Sequence, residues 1–132
     1  MDRLHERLSL ARRTHARLAE LSGRSRVSEI ERDAAIQRFE FSFEAAWKAA
    51  QLFLQEREGL EASSPKAAIR ASLQVGLLSE PDARLALAMA DDRNLTVHTY
   101  NEELAKRIFA DLDGYAALIG RWIAAMERPG GS

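Results

Sequence analysis

The sequence predicts an all-α fold of about five helices, and three observations carry that expectation. β-branched residues are few, alternating apolar and polar runs are short, and Ala, Leu, Arg and Glu dominate, a composition that suits helix rather than strand. Apolar residues recur at steps of three and four along most of the chain, the spacing that puts them on one helix face. Serine-led starts and glycine stops punctuate the sequence between those periodic segments. The 132 residues suit one domain with one core.

A first helix is expected over residues 2–22, with Leu4, Leu8, Ala11, Leu18 and Leu21 near one side. Ser22-Gly23-Arg24-Ser25-Arg26 reads as its stop and turn. A long second helix should run from Ser28 to Glu58, with Gly59 as its C-terminal stop. Its main apolar stripe is Ile36, Phe39, Phe43, Trp47, Ala50 and Leu54, while Phe41, Ala45 and Leu52 fall on a different side. The coherent polar strip, Gln37, Glu40, Glu44, Lys48, Gln51 and Gln55, is narrow. A helix buried on most sides sits at the centre of a bundle or against another subunit. In so small a chain the second explanation should contribute, so a homodimer is expected.

Ser64 caps the third helix and Pro65 takes its first position, with an end expected at Gly76. Ser79-Glu80-Pro81-Asp82 starts the fourth in the same way, running through Leu85 and Met89 toward Arg93-Asn94-Leu95-Thr96-Val97-His98-Thr99-Tyr100. The last helix has the clearest pattern: Leu104, Ile108, Leu112, Tyr115, Ile119, Trp122 and Met126. The expected organisation is a single helical domain over 1–128 with a flexible tail at 129–132.

Composition closes off several function classes. A net charge of −1 gives no global pull toward nucleic acid, so any such substrate must meet a local patch. The absence of cysteine removes disulfides, thiolate chemistry and Cys-based metal sites. Three histidines without close ligand spacing argue against zinc. Neither a glycine-rich phosphate loop nor a Gly-x-Ser-x-Gly elbow is present, and no cofactor is expected. The N-terminus lacks an apolar signal region and no run is long enough to span a bilayer. The expectation is a cytoplasmic protein without a membrane partner. His5 and His15 flank Arg12, Arg13 and Arg17 on the first helix, a basic strip read more simply as a solvated face than as an RNA track. Asp91-Asp92 reads as helix-surface charge.

The segment from Arg93 to Tyr100 holds the chemistry. Thr99-Tyr100-Asn101-Glu102 fits a capping box, which places His98 just before a helix N-terminus and Tyr100 in its first turn. The amides there would favour a phosphate. The plainer reading is a corner between helices whose polar residues satisfy backbone groups. On a continuous helix Asn94 and His98 share a face, whereas Arg93 and His98 point about 140° apart. That pair converges only if the helix breaks between them or if a second copy supplies one member. Arginine and histidine suffice for metal-free RNA cleavage. Histidine takes a proton from a 2′-hydroxyl or gives one to the leaving oxygen, and arginine clamps the phosphate. Asn94 would orient the imidazole or donate to the phosphate.

This segment resembles the Arg-x4-His-x-Tyr motif of the HepT-like branch of the HEPN superfamily, which includes the nucleotidyltransferase substrate-binding proteins. The likeness extends through the second helix from Glu31, the third helix from Ser63 to Leu78, and the motif region to Ile108. Leu85 departs from it, near where relatives often carry tryptophan, and that touches packing rather than the motif. The resemblance implies an up-and-down antiparallel helical bundle that dimerises, with both motifs facing one cleft. It implies a metal-independent endoribonuclease toxin, with Arg93 and His98 as the catalytic pair and Asn94 as the polar residue beside them. Tyr100 matches the tyrosine that a minimal nucleotidyltransferase antitoxin modifies with AMP. The alternative is a non-catalytic subunit that docks the nucleotidyltransferase.

Overall fold

Five helices make up the structure, a computed structural model that describes residues 2–128: α1 (Arg3–Ala19), α2 (Glu29–Glu58), α3 (Pro65–Gln74), α4 (Glu80–His98) and α5 (Glu102–Glu127). No strand occurs among the described residues. The tail expected at 129–132 lies outside them.

Each helix starts where a side chain takes over an unpaired amide. Asp2 accepts from the His5 amide at 2.7 Å and caps α1. Ser28 and Glu31 form a reciprocal capping box at the start of α2. Ser64 and Ser79 cap α3 and α4, each followed by a proline in the first turn. Gly59 ends α2 with φ +66°, a left-handed conformation that glycine adopts without steric cost.

α2 packs against all four other helices, and this explains why so much of it is apolar. Phe39, Phe43, Phe53 and Leu54 are fully buried, and Ala45 and Leu52 are buried on a second side. The wide apolar face is thus satisfied largely within the chain. Phe41 is the part of it left out, 58% exposed. At roughly 2 kcal/mol for each large apolar side chain fully buried, α2 is the main anchor of the fold.

Long-range polar pairs trace the helix directions. His15 meets the Ala116 carbonyl and Arg12 meets Glu127, so α1 runs against α5. Asp33 meets Tyr100 and Glu44 meets Arg93, so α4 runs against α2. Asp82 meets Arg121 and Asp92 meets Arg107, so α4 also runs against α5. α1 lies on one side of the α2–α5 pair and touches neither α3 nor α4. The result is an antiparallel helical bundle in which the last turns of α4 lie along the first half of α2.

Candidate functional site

The final turns of α4 invert the polarity of a packed helix. Ala83, Ala86, Met89 and Ala90 are buried, as an amphipathic helix requires. Beyond them Asp92 and Thr96 are buried, whereas Leu95 and Val97 are 41% and 60% exposed. The reason is the polar partners that α4 meets: Thr96 faces Glu40 of α2, and Asp92 faces Tyr115 and Arg107 of α5.

Arg93 is held on three sides. Its Nη2 donates to Glu44 Oε1 at 2.9 Å, its Nη1 reaches Asn94 Oδ1 at 3.3 Å, and its guanidinium lies 5.7 Å from the Phe43 ring centre. Glu44 Oε1 also accepts from Trp47 Nε1 at 3.0 Å, which fixes the carboxylate. One turn on, the Thr96 hydroxyl sits 2.5 Å from Glu40 Oε2 and 2.7 Å from the Arg93 carbonyl, donating to one at a time. Tyr100 follows the helix, and its hydroxyl donates to Asp33 Oδ1 at 2.6 Å. Partial burial, then the bond and charge of Asp33, push the Tyr100 phenol up to about 12, so it is neutral at physiological pH. Beside it an open groove of about 450 Å3 runs between α2 and α4, lined by Asp33, Gln37, Glu40, Thr96 and Tyr100 among others.

The helix does not break between Arg93 and His98. α4 is continuous to His98, and the Thr99 amide adds one more bond to the Leu95 carbonyl at 2.8 Å. The pair therefore points to different sides of α4, and one chain alone does not bring it together. The capping box expected at Thr99 is not formed. Asn101 caps α5 by accepting from the Leu104 amide at 2.8 Å, while Thr99 closes α4 in extended conformation. Asparagine is the stronger cap, and placing it there lets α4 keep its last turn. His98 is consequently the exposed C-terminal residue of α4, and Tyr100 sits in the short link rather than in the first turn of α5.

Two further expectations change. Asp92 is buried rather than a surface charge: it accepts from the Tyr115 hydroxyl at 2.6 Å and from Arg107 at 2.8 Å, and so ties α4 to α5. Its neighbour Asp91 pairs with Lys66 at 2.6 Å. On α1, His5, Arg13 and Arg17 are exposed as a solvated face requires, but His15 turns inward to the Ala116 carbonyl at 2.8 Å and Arg12 bonds Glu127, so the strip is not continuous. No group of three metal-ligating side chains is found among the described residues, and no helix there is long and apolar enough to cross a membrane.

Asp33, Glu40 and Glu44 are the site residues that the sequence did not single out. Glu40 and Glu44 belong to the narrow polar strip on α2, and that strip was the available signal. Nothing in the spacing said which helix it would face.

The family described as nucleotidyltransferase substrate binding protein like matches residues 6–128. The chain belongs to that family. A Thermus thermophilus protein of known structure is 54% identical, covering 89% of this chain and 99% of that one with a TM-score of 0.87. The probable ribonuclease HepT of Haemophilus influenzae is 34% identical over 85 residues, 61% of this chain and 57% of that protein. The match thus spans little more than half of that relative. A Shewanella oneidensis HEPN toxin, tri-AMPylated and in complex with its MNT antitoxin, shares the fold at a TM-score of 0.78 and 17% identity, covering 96% and 98% of the two chains. The HepT-like resemblance drawn from the motif and its neighbouring helices holds at the level of the family.

Proposed function

We propose that the chain is a metal-independent endoribonuclease toxin whose working site forms between two copies and whose partner is a minimal nucleotidyltransferase. The observation that carries this reading is the state of Arg93. Its guanidinium is oriented by Glu44, Asn94 and Phe43 on a surface that stays partly open, with His98 exposed at the end of the same helix. Arginine held in this way offers a preformed phosphate clamp. The unbroken α4 leaves its histidine on another side, so a second copy is the route by which an Arg93 and a His98 meet. Phe41 and Val97, both well exposed, supply apolar area for such a contact.

In this reading His98 takes the proton from the ribose 2′-hydroxyl or delivers one to the 5′ leaving oxygen. Arg93 balances charge on the pentacoordinate phosphorus, and Asn94 keeps both Arg93 and the phosphate in register. Tyr100 accepts AMP from the nucleotidyltransferase. The adduct adds bulk and negative charge near His98, where the RNA phosphate would otherwise sit. The HepT relative and the AMPylated HEPN toxin complex support the ribonuclease and the partner by analogy.

The test is RNA cleavage in EDTA by the purified chain, with intact mass recorded to exclude an adduct on Tyr100. Wild type is expected to cut, and His98→Ala to lose about 10²–10⁴-fold, the contribution of general acid–base catalysis. A second reading has its own observation: Asp33 and Glu40 make the α2 side of the groove acidic, which repels RNA and suits a docking partner. In that case the protein is a non-catalytic docking subunit of the nucleotidyltransferase. No cleavage of tRNA, mRNA or total RNA by unmodified dimer, and no toxicity on expression alone, would establish it.

A further inference from the structure

A phenol is a weak nucleophile while it keeps its proton, and Tyr100 keeps its proton more firmly than an ordinary tyrosine. Transfer of a nucleotidyl group to it therefore requires a base at the moment of attack. The structure holds one in contact. Asp33 Oδ1 lies 2.6 Å from the Tyr100 oxygen, within the reach a general base needs. Asp33 is exposed and makes no salt bridge among the described residues, and the nearby Arg32 charge opposes the rise of the Tyr100 phenol without reversing it. Glu40, further along α2 in the same groove, is occupied by Thr96. The groove between α2 and α4, which Asp33 and Glu40 help to line, opens beside the hydroxyl and leaves it within reach of a partner's bound nucleotide.

We propose that Asp33 is the proton acceptor for nucleotidyl transfer to Tyr100, so that the chain itself supplies the base for its own modification. The inference rests on the reading of Tyr100 as the AMP acceptor. In the step, the Tyr100 oxygen attacks the α-phosphorus of magnesium-bound ATP held by the nucleotidyltransferase. The new oxygen–phosphorus bond forms as the bond from the α-phosphorus to the bridging oxygen breaks, and pyrophosphate leaves with that electron pair. The phenolic proton passes along the 2.6 Å bond to the Asp33 carboxylate and then to water.

Tyr115 shows why distance alone is not enough. Its hydroxyl is also 2.6 Å from a carboxylate, Asp92, but it is buried and Asp92 is shared with Arg107. Of the two, Tyr100 alone joins a reachable hydroxyl to a carboxylate that no salt bridge engages among the described residues.

The experiment uses the purified chain, the minimal nucleotidyltransferase of the same genome and Mg-ATP, with AMP transfer followed by intact mass. Wild type, Asp33→Asn, Asp33→Ala and Tyr100→Phe are compared. Asp33→Asn and Asp33→Ala should lower kcat for transfer by about 10²-fold with KM for the chain unchanged. Added formate should restore part of the rate to Asp33→Ala, because a small carboxylate can enter the vacated space. Asp33→Asn at the wild-type rate, a loss confined to KM, or no rescue by formate would each overturn the assignment of Asp33 as the base. No AMP on wild type would instead overturn the modification of Tyr100 itself, so the two failures are told apart.

Discussion

Tyr115 and Tyr100 each donate to a carboxylate 2.6 Å away, Asp92 in one case and Asp33 in the other, yet the two bonds sit in opposite settings. Tyr115 is 4% exposed, its ring stacks on Phe39 at 5.6 Å, and Asp92 is shared with Arg107. Tyr100 is 48% exposed and its carboxylate lies on the solvent side of α2. One bond joins two helices of the core, and the other lies across a groove. Identical local chemistry thus has a structural use where water is excluded and leaves a reactive group within reach where it is not.

Asp92→Ala is the strongest way to break the inner pair. It strands the buried Tyr115 hydroxyl and releases Arg107, and a loss of about 3 kcal/mol is expected in urea unfolding. Arg107 can turn to solvent, which keeps the loss from being larger. Tyr115→Phe should cost less, about 1 kcal/mol, since Asp92 keeps Arg107 and the ring keeps its stacking. Both phenols are held above their ordinary value, so the folded state binds these protons more tightly than the unfolded chain. Their contribution is complete below the ordinary value of 10 and is lost as pH rises through the folded value, about 12 for Tyr100. Urea midpoints should therefore fall as pH climbs past 10, and Tyr115→Phe should flatten that fall more than Tyr100→Phe.

Asn101→Ala tests the link that carries the outer tyrosine. Loss of the cap is expected to cost about 1 kcal/mol, read by thermal unfolding. Tyr100→Phe should be the mildest, within about 0.5 kcal/mol of wild type, while abolishing any AMP adduct seen by mass. If Tyr100→Phe proved as destabilising as Tyr115→Phe, the outer bond would be a structural one after all.

Much of the fold could be read in the sequence because its determinants are local. Ser28 with Glu31, Ser64 with Pro65, Ser79 with Pro81, and Gly59 mark helix ends by residues only a few positions apart. Thr99 misled for the same reason: two local caps competed, and Asn101 won because α4 gains a turn by it. The motif residues were legible through their resemblance to a family, but their surroundings were not. Glu44 lies 49 residues from Arg93 and Asp33 lies 67 from Tyr100, and no helical period links positions so far apart. Asp92 failed on burial. Next to Asp91 it looks solvated, and only the packing of α5 reveals that Tyr115 and Arg107 close over it.

The continuity of α4 has a consequence for dosage. Under the proposed reading, each chain carries half of two sites and a whole of none. While copies are scarce, the number of complete sites grows with the square of the number of chains rather than in proportion to it. A cell would then tolerate a trickle of this protein and respond sharply to a surge, with the threshold set by how tightly two copies hold together.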